Sequence, residues 1–187
     1  MKMRKIIFFL CIFTFLILCD TKADAACRFN KSKLVIKVGE YKKLKILGNS
    51  SEISWTYKNR KIAIGRNSDI SKSYEKVNKI VGQRVGKTSV TAKVNGKTLT
   101  CVVIVKKAKG NITEKQAVRK VKNIYGKKYA YVSIDNQPSK FKGKKYWIIK
   151  ISEFVQDHFT NLGLYFLSTD GTVFCNGIIG DSGFVLY

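Results

Sequence analysis

The stretch VTAKVNGKTLTCVVIV, Val90 to Val105, decides the reading of the first half of the chain. Two runs of alternating apolar and polar residues flank the pair Asn95-Gly96. A tight two-residue hairpin turn needs positive φ at both central residues, and Asn-Gly supplies it at least cost. Alternation then puts Leu99, Cys101, Val103 and Val105 on one face, across from Val90, Ala92 and Val94. Lys93 and Lys97 are expected on the wet side of the turn, with Thr98 and Thr100 pointing outward. Cys101 therefore belongs to a core face, and a slip of one residue would expose the whole set.

The same period extends upstream. Leu34, Ile36 and Val38 alternate, as do Leu44 with Ile46, and Ile53 with Trp55 and Tyr57. Ile62 and Ile64 precede Gly65, and Val81 and Val85 straddle Gly82. No proline interrupts residues 27–107. Short period-2 runs bounded by turn residues predict an antiparallel sandwich.

The chain opens MKMRKIIFFLCIFTFLILCDTKADAAC. Lys2, Arg4 and Lys5 precede an apolar run from Ile6 to Cys19, and Ala23-Asp24-Ala25 is a small-x-small site. This is the pattern of a secretory signal peptide over residues 1–25. A membrane span needs about 20 apolar residues, more than this run offers. A lipoprotein anchor fits less well, since Leu18 precedes Cys19 and Asp24 lies three before Cys27. The expected location is outside the cell, secreted or surface-associated. Export favours paired cysteines. Cys27 begins the first unit, Cys101 lies in its last strand, and Cys175 falls in the second unit. Cys27–Cys101 is the preferred disulfide; a loop of ~75 residues closed this way is worth about 4.5 kcal/mol in the chain-entropy model.

Residues 29–106 resemble the bacterial Ig-like domains of the Big-2 group. The likeness is carried by LVIKVGEYKKLKI, ISWTYKNRKIAI and VGKTSVTAKVNGKTLTCVVIV, with Trp55, Asn59, Ile62-Ala63, Gly86, Thr91-Ala92 and Cys101 in the family's places. The stretch from Arg66 to Val77 is longer and more polar than the family's short turn, and is expected to protrude. The resemblance implies a seven-strand sandwich of the kind found on adhesins and wall-associated proteins. It does not supply a ligand, because fold does not fix function.

After Lys106 the text changes. ITEKQAVRKVKNIYG carries a capping box, Thr113 with Gln116, and an apolar face of Ala117, Val121 and Ile124; Gly126 is expected as a left-handed cap. Strands are expected at 129–134, 146–155, 163–168, 172–176 and 184–187, with Asp170-Gly171 as a second hairpin signal. One helix followed by an antiparallel meander reads as a helix packed on a sheet. ITEKQAVRKV, KYWIIKI and LGLYFLSTDGTVF resemble PepSY or cystatin-like extracellular modules. The expected fold is therefore an all-β Ig-like sandwich over residues 27–107, a linker at 108–112, and a small α+β domain over residues 113–187.

Charge sets the class of partner. The chain has 36 Lys and Arg against 12 Asp and Glu, a formal net charge of +24. Residues 26–108 carry 20 basic and 4 acidic side chains, whereas residues 151–187 contain no Lys or Arg. Such an excess attracts polyanions. Outside the cell these are wall polymers of the teichoic type, anionic lipid headgroups, sulfated glycans or free DNA rather than intracellular nucleic acid. Lys42, Lys43, Lys45, Lys58, Arg60, Lys61, Lys93 and Lys97 are the candidate polyanion contacts; the alternative is that they serve solubility.

Catalytic and metal chemistry find little support. His158 is the single histidine. A dyad with Cys175 would need a third group to orient it, and no signature surrounds Cys175. No C-x-x-C, calcium loop or phosphate loop occurs; GQRVG at residues 82–86 lacks the lysine and hydroxyl of a P-loop. Trp147, Tyr146, Tyr165 and Phe166 form a candidate aromatic surface, with core packing as the plainer role. The expectation is a non-enzymatic binding or adhesion-type protein of the anionic envelope, without cofactor or metal. The alternative is a protease inhibitor or chaperone-like module carried by the second unit.

Overall fold

The computed structural model describes residues 27–48, 52–65, 76–180 and 183–186. The expected signal peptide and most of the expected protruding loop, residues 66–75, lie outside the described residues. Among the described residues the chain is mostly β with one helix.

Among the described residues the first unit has eight strands: β1 (Arg28–Phe29), β2 (Lys33–Lys37), β3 (Tyr41–Leu47), β4 (Ile53–Tyr57), β5 (Ala63–Gly65), β6 (Val77–Gly82), β7 (Gly86–Val94) and β8 (Lys97–Lys106). They form two four-stranded sheets, ordered β1-β3-β6-β5 and β2-β8-β7-β4. All pairs are antiparallel except β2 with β8. Leu34 and Ile36 of β2, Leu44 of β3, Ile80 of β6, Val90 of β7, and Cys101 and Val103 of β8 share one buried cluster between the sheets. The chain changes sheets at Val38-Gly39-Glu40, where Gly39 N–H donates to the Gly82 carbonyl at 2.9 Å and Gly82 N–H to the Glu40 carbonyl at 3.0 Å.

The opening hairpin forms as its sequence dictates. Asn95 and Gly96 have φ of 48° and 74°. Val90 pairs with Cys101, and Ala92 with Leu99. One detail differs: Lys97 sits directly opposite Val94, on the inward-facing phase, and is exposed only because the sandwich ends there. The phase of β5 also differs from expectation. Ala63 and Gly65 are buried while Ile62 and Ile64 are half-buried. Gly65 must lie inward, because a Cβ there would stand 1.9 Å from the Tyr57 hydroxyl.

The second unit begins with α1 (Glu114–Tyr125). Thr113 accepts from Gln116 N–H at 3.4 Å and Gln116 Oε1 accepts from Thr113 N–H at 3.2 Å, the reciprocal capping box. Ala117, Val121 and Ile124 are its buried face. Gly126 closes the helix with its N–H on the Lys122 carbonyl, but at φ 104°, ψ −179° rather than in the left-handed helical region expected of it.

Six strands follow: β9 (Ala130–Ser133), β10 (Ser139–Phe141), β11 (Lys144–Val155), β12 (His158–Ser168), β13 (Phe174–Gly180) and β14 (Gly183–Leu186). The sheet order is β10-β11-β12-β13-β14, with β9 also on β11. Two hairpins were not anticipated. Lys142-Gly143, with φ of 45° and 76°, turns β10 into β11 within what reads as a loop. Gln156-Asp157 turns β11 into β12, with Gln156 at φ 58°.

The expected linker is knitted into the second sheet rather than left as a tether. Ala108 and Ile112 are buried. Ala108 N–H donates to the Gly171 carbonyl and Ile112 N–H to the Thr169 carbonyl, both at 2.9 Å. Trp147 Nε1–H donates to the Ile112 carbonyl at 2.7 Å. The main buried cluster consequently runs from the sandwich through Val105, Ala108 and Ile112 to Ile124, Ile149, Leu167 and Phe174.

Candidate functional site

Lysines on strands take their faces from the pleat. On β3, Leu44 and Ile46 point inward, so Lys43 and Lys45 point outward. Lys79 of β6 lies directly opposite Lys43, and its ammonium sits 4.9 Å from the centre of the Tyr41 ring. Cross-strand partners stand about 5 Å apart at Cβ, so two like charges in this position repel and favour a bound anion. On the other sheet, Lys93 shares the outward phase with Lys87 of β7 and with Lys33 and Lys37 of β2. None of the eight strands of the first unit contains Asp or Glu.

The eight candidate cations do not form a single patch. Lys43 and Lys45 lie on the outer face of one sheet, and Lys93 on the outer face of the other. Lys42 falls on the inward phase of β3, across from buried Ile80, yet is exposed. Lys58, Arg60 and Lys61 occupy the loop after β4, at the end of the sandwich where Ile62 covers Gly86. Lys97 stands at the opposite end, beside the β7–β8 turn. Lys79 completes one face through pairing with Lys43 from a distant segment, which sequence alone does not show, whereas Lys87 lies six residues before Lys93 on the same strand and was open to the same period-2 reading.

The expected Cys27–Cys101 disulfide is not formed. Cys27 Sγ lies 3.8 Å from Asn95 Nδ2, at the turn of the β7–β8 hairpin. Cys101 is four residues into β8 from Lys97, about 13 Å along the strand at 3.3 Å per residue. A disulfide needs Cα atoms within about 7 Å. Burial raises the Cys101 thiol pKa, partly opposed by a hydrogen bond with the Leu34 backbone. Both Cys101 and Cys175 are buried free thiols.

The imagined dyad also separates. Cys175 pairs with Phe166 on β13 and β12, whereas His158 opens β12 eight residues earlier, about 26 Å away along the strand. His158 Nδ1 contacts Asp157 at 3.0 Å in an exposed turn. Burial pushes the Cys175 thiol up to about 11, only partly offset by Arg84, so it is not a thiolate at neutral pH. Among the described residues no three His, Cys, Asp or Glu side chains gather as metal ligands. No helix among them is long and apolar enough to cross a membrane. The aromatic quartet divides between the faces of the second sheet. Tyr146 and Phe166 are buried on one side, while Trp147 and Tyr165 pack against the main cluster on the other.

A cleft of about 380 Å³ opens between the units, lined by Gly39, Glu40, Tyr41, Arg119, Lys120, Asn123 and Ile124. Lys120 Nζ crosses its floor to Glu40 Oε1 at 3.3 Å and to the Val38 carbonyl at 3.4 Å. Its principal cation is thus spent on holding the units together.

No protein-family model matches the chain. No curated protein matches it either. Among solved structures it is similar to domains 4 and 5 of the S-layer protein SbsC, at 20% identity and a TM-score of 0.35, over 43% of this chain and 50% of that one. It is also similar to SbsC domains 5–6, at 13% identity and a TM-score of 0.37, over 79% of this chain and 64% of that one. The chain spans half the length of the first of these. Likeness at this level leaves function to be read from the chain's own residues.

Proposed function

We propose that the protein is an exported, non-enzymatic binding protein that holds to an anionic polymer of the cell envelope through its first unit. That unit is read as an Ig-like sandwich, since β1-β3-β6-β5 and β2-β8-β7-β4 follow the order of an Ig sandwich whose first strand is split between the sheets. The observation that carries the function is the absence of any carboxylate from these eight strands while Lys43 and Lys79 face one another. A surface of one sign concentrates counter-ions over its whole extent and needs no pocket. A long phosphate-bearing polymer matches a lysine-covered sheet better than a small ligand does.

The second unit, read as an α+β module, packs its helix on one sheet face. The test is retention on purified envelope walls, intact and stripped of their anionic polymer. Retention on intact walls that disappears on stripped walls is expected; equal retention on both would exclude the polymer as ligand.

A further inference from the structure

The β11–β12 hairpin outruns its neighbours. β9 stops pairing at Ala130 with Ser152, and β13 meets β12 only from Leu164 onward. The rungs Glu153–Thr160, Phe154–Phe159 and Val155–His158 therefore project as a two-stranded ribbon. Such a ribbon is marginal in water without another surface to pack on. Its side chains suit water poorly. Phe154 is 59% exposed, Phe159 64% and Leu162 47%. The two phenylalanines stack edge to face at 5.1 Å.

Strand alternation places Phe154 on the same face as Lys150, which is the face turned away from α1. Val132, 60% exposed, pairs with Lys150 on that face, and Ile134 shares the phase. The face thus carries Val132, Ile134, Phe154 and Phe159 as apolar side chains, interrupted by Lys150 and by the polar rung Ser152–Asn161. Lys128, which follows α1, reaches Glu153 on the opposite face of the ribbon, so Lys150 is the cation that shares the face of Phe154. The carboxylate nearest the ribbon's base, Glu153, is neutralised by Lys128 at 3.1 Å, and Asp157 lies in the turn against His158.

We propose that this hairpin face is a membrane-interface anchor, with Phe154, Phe159 and Leu162 entering the boundary of an anionic lipid surface and Lys150 meeting its headgroups. Charge decides the occupant. A second copy brings the same large positive excess and is repelled, whereas an anionic bilayer attracts a lysine that flanks buried apolar side chains. The face lies on the second unit and does not depend on the polymer reading of the first.

The test is sedimentation of the purified protein with vesicles of equal phosphatidylglycerol and phosphatidylcholine, at about 0.15 M salt where loose surface attraction is screened. The wild type is expected to partition onto these vesicles and not onto phosphatidylcholine alone. Phe154→Ser with Phe159→Ser is expected to lose at least tenfold in partitioning while keeping its retention on envelope walls. A separate Phe159→Trp variant is expected to show blue-shifted emission on vesicles, and it decides the matter if the serine variant does not fold. Undiminished binding by the folded serine variant, or no emission change on vesicles, would overturn the proposal. So would a wild-type dimer that dissociates in the serine variant, since the face would then be covered by a second copy.

Discussion

Cys101 was legible as a core residue because period-2 patterning and an Asn-Gly turn are local signals, and it is fully buried opposite Val90. Its supposed partner was not legible. Where Cys27 docks depends on β1 pairing with β3, a non-local choice that leaves Cys27 at the far turn. Reductant is therefore expected to leave the melting temperature of the folded protein unchanged, as followed by circular dichroism. A fall of many degrees on reduction would reveal a stabilising bridge. Asp170 gives a second residue-scale test. Burial alone would raise its pKa, but hydrogen bonds from the Ser168 side chain, the Thr172 side chain and backbone, and Lys144 outweigh it and hold the carboxyl well below its usual range. A depressed folded-state pKa stabilises the fold above the unfolded value of about 3.9, and the contribution is lost as pH falls below that value. Asp170→Asn should lower stability near neutrality and flatten its decline between about pH 4 and 2 relative to wild type, measured by urea unfolding across pH.

Hairpins show which turns a sequence announces. Asn95-Gly96 and Asp170-Gly171 did so; Lys142-Gly143 and Gln156-Asp157 did not, because Lys and Gln at positive φ carry no compositional signal. Strand β12 was under-read for a related reason. His158 to Asn161 is exposed on both sides of the ribbon, so alternation had nothing to mark. The phase of β5 was set by close approach rather than hydrophobicity, with Gly65 admitting the Tyr57 hydroxyl to Asn78. There Asn78 Nδ2 donates to Tyr57 Oη at 2.7 Å, with Asn78 1% exposed. Tyr57→Phe strands that buried amide donor and should cost about 1–3 kcal/mol in denaturant unfolding. A cost near zero would mean that water satisfies the amide.

Across the whole molecule, composition revealed two surfaces of different charge but not how tightly the units join. The segment at 108–112 reads as a linker, yet Ala108 and Ile112 are buried and their amides pair with the second sheet. Phe174 N–H also donates to the Gln83 carbonyl at 2.7 Å, and Arg84 bridges to Val173. A shared core predicts one cooperative unfolding transition, not two. Gly39, at φ 69°, sits where a Cβ would lie 3.2 Å from Lys120 and 3.6 Å from Leu167. Gly39→Ala is expected to destabilise by about 1–2 kcal/mol through backbone strain alone and to separate the transitions in calorimetry. The basic excess was plain in the sequence, whereas its division between two opposite faces required the pairing of β3 with β6.

The most direct test of the polymer reading is the salt dependence of binding to a purified phosphate-bearing wall polymer. Wild-type affinity should fall linearly on a log–log plot against salt, because binding releases counter-ions from the polymer. Replacing Lys43, Lys45 and Lys79 together with Gln should weaken binding and make that slope shallower. An affinity insensitive to salt, or a slope unchanged by the three substitutions, would contradict the account.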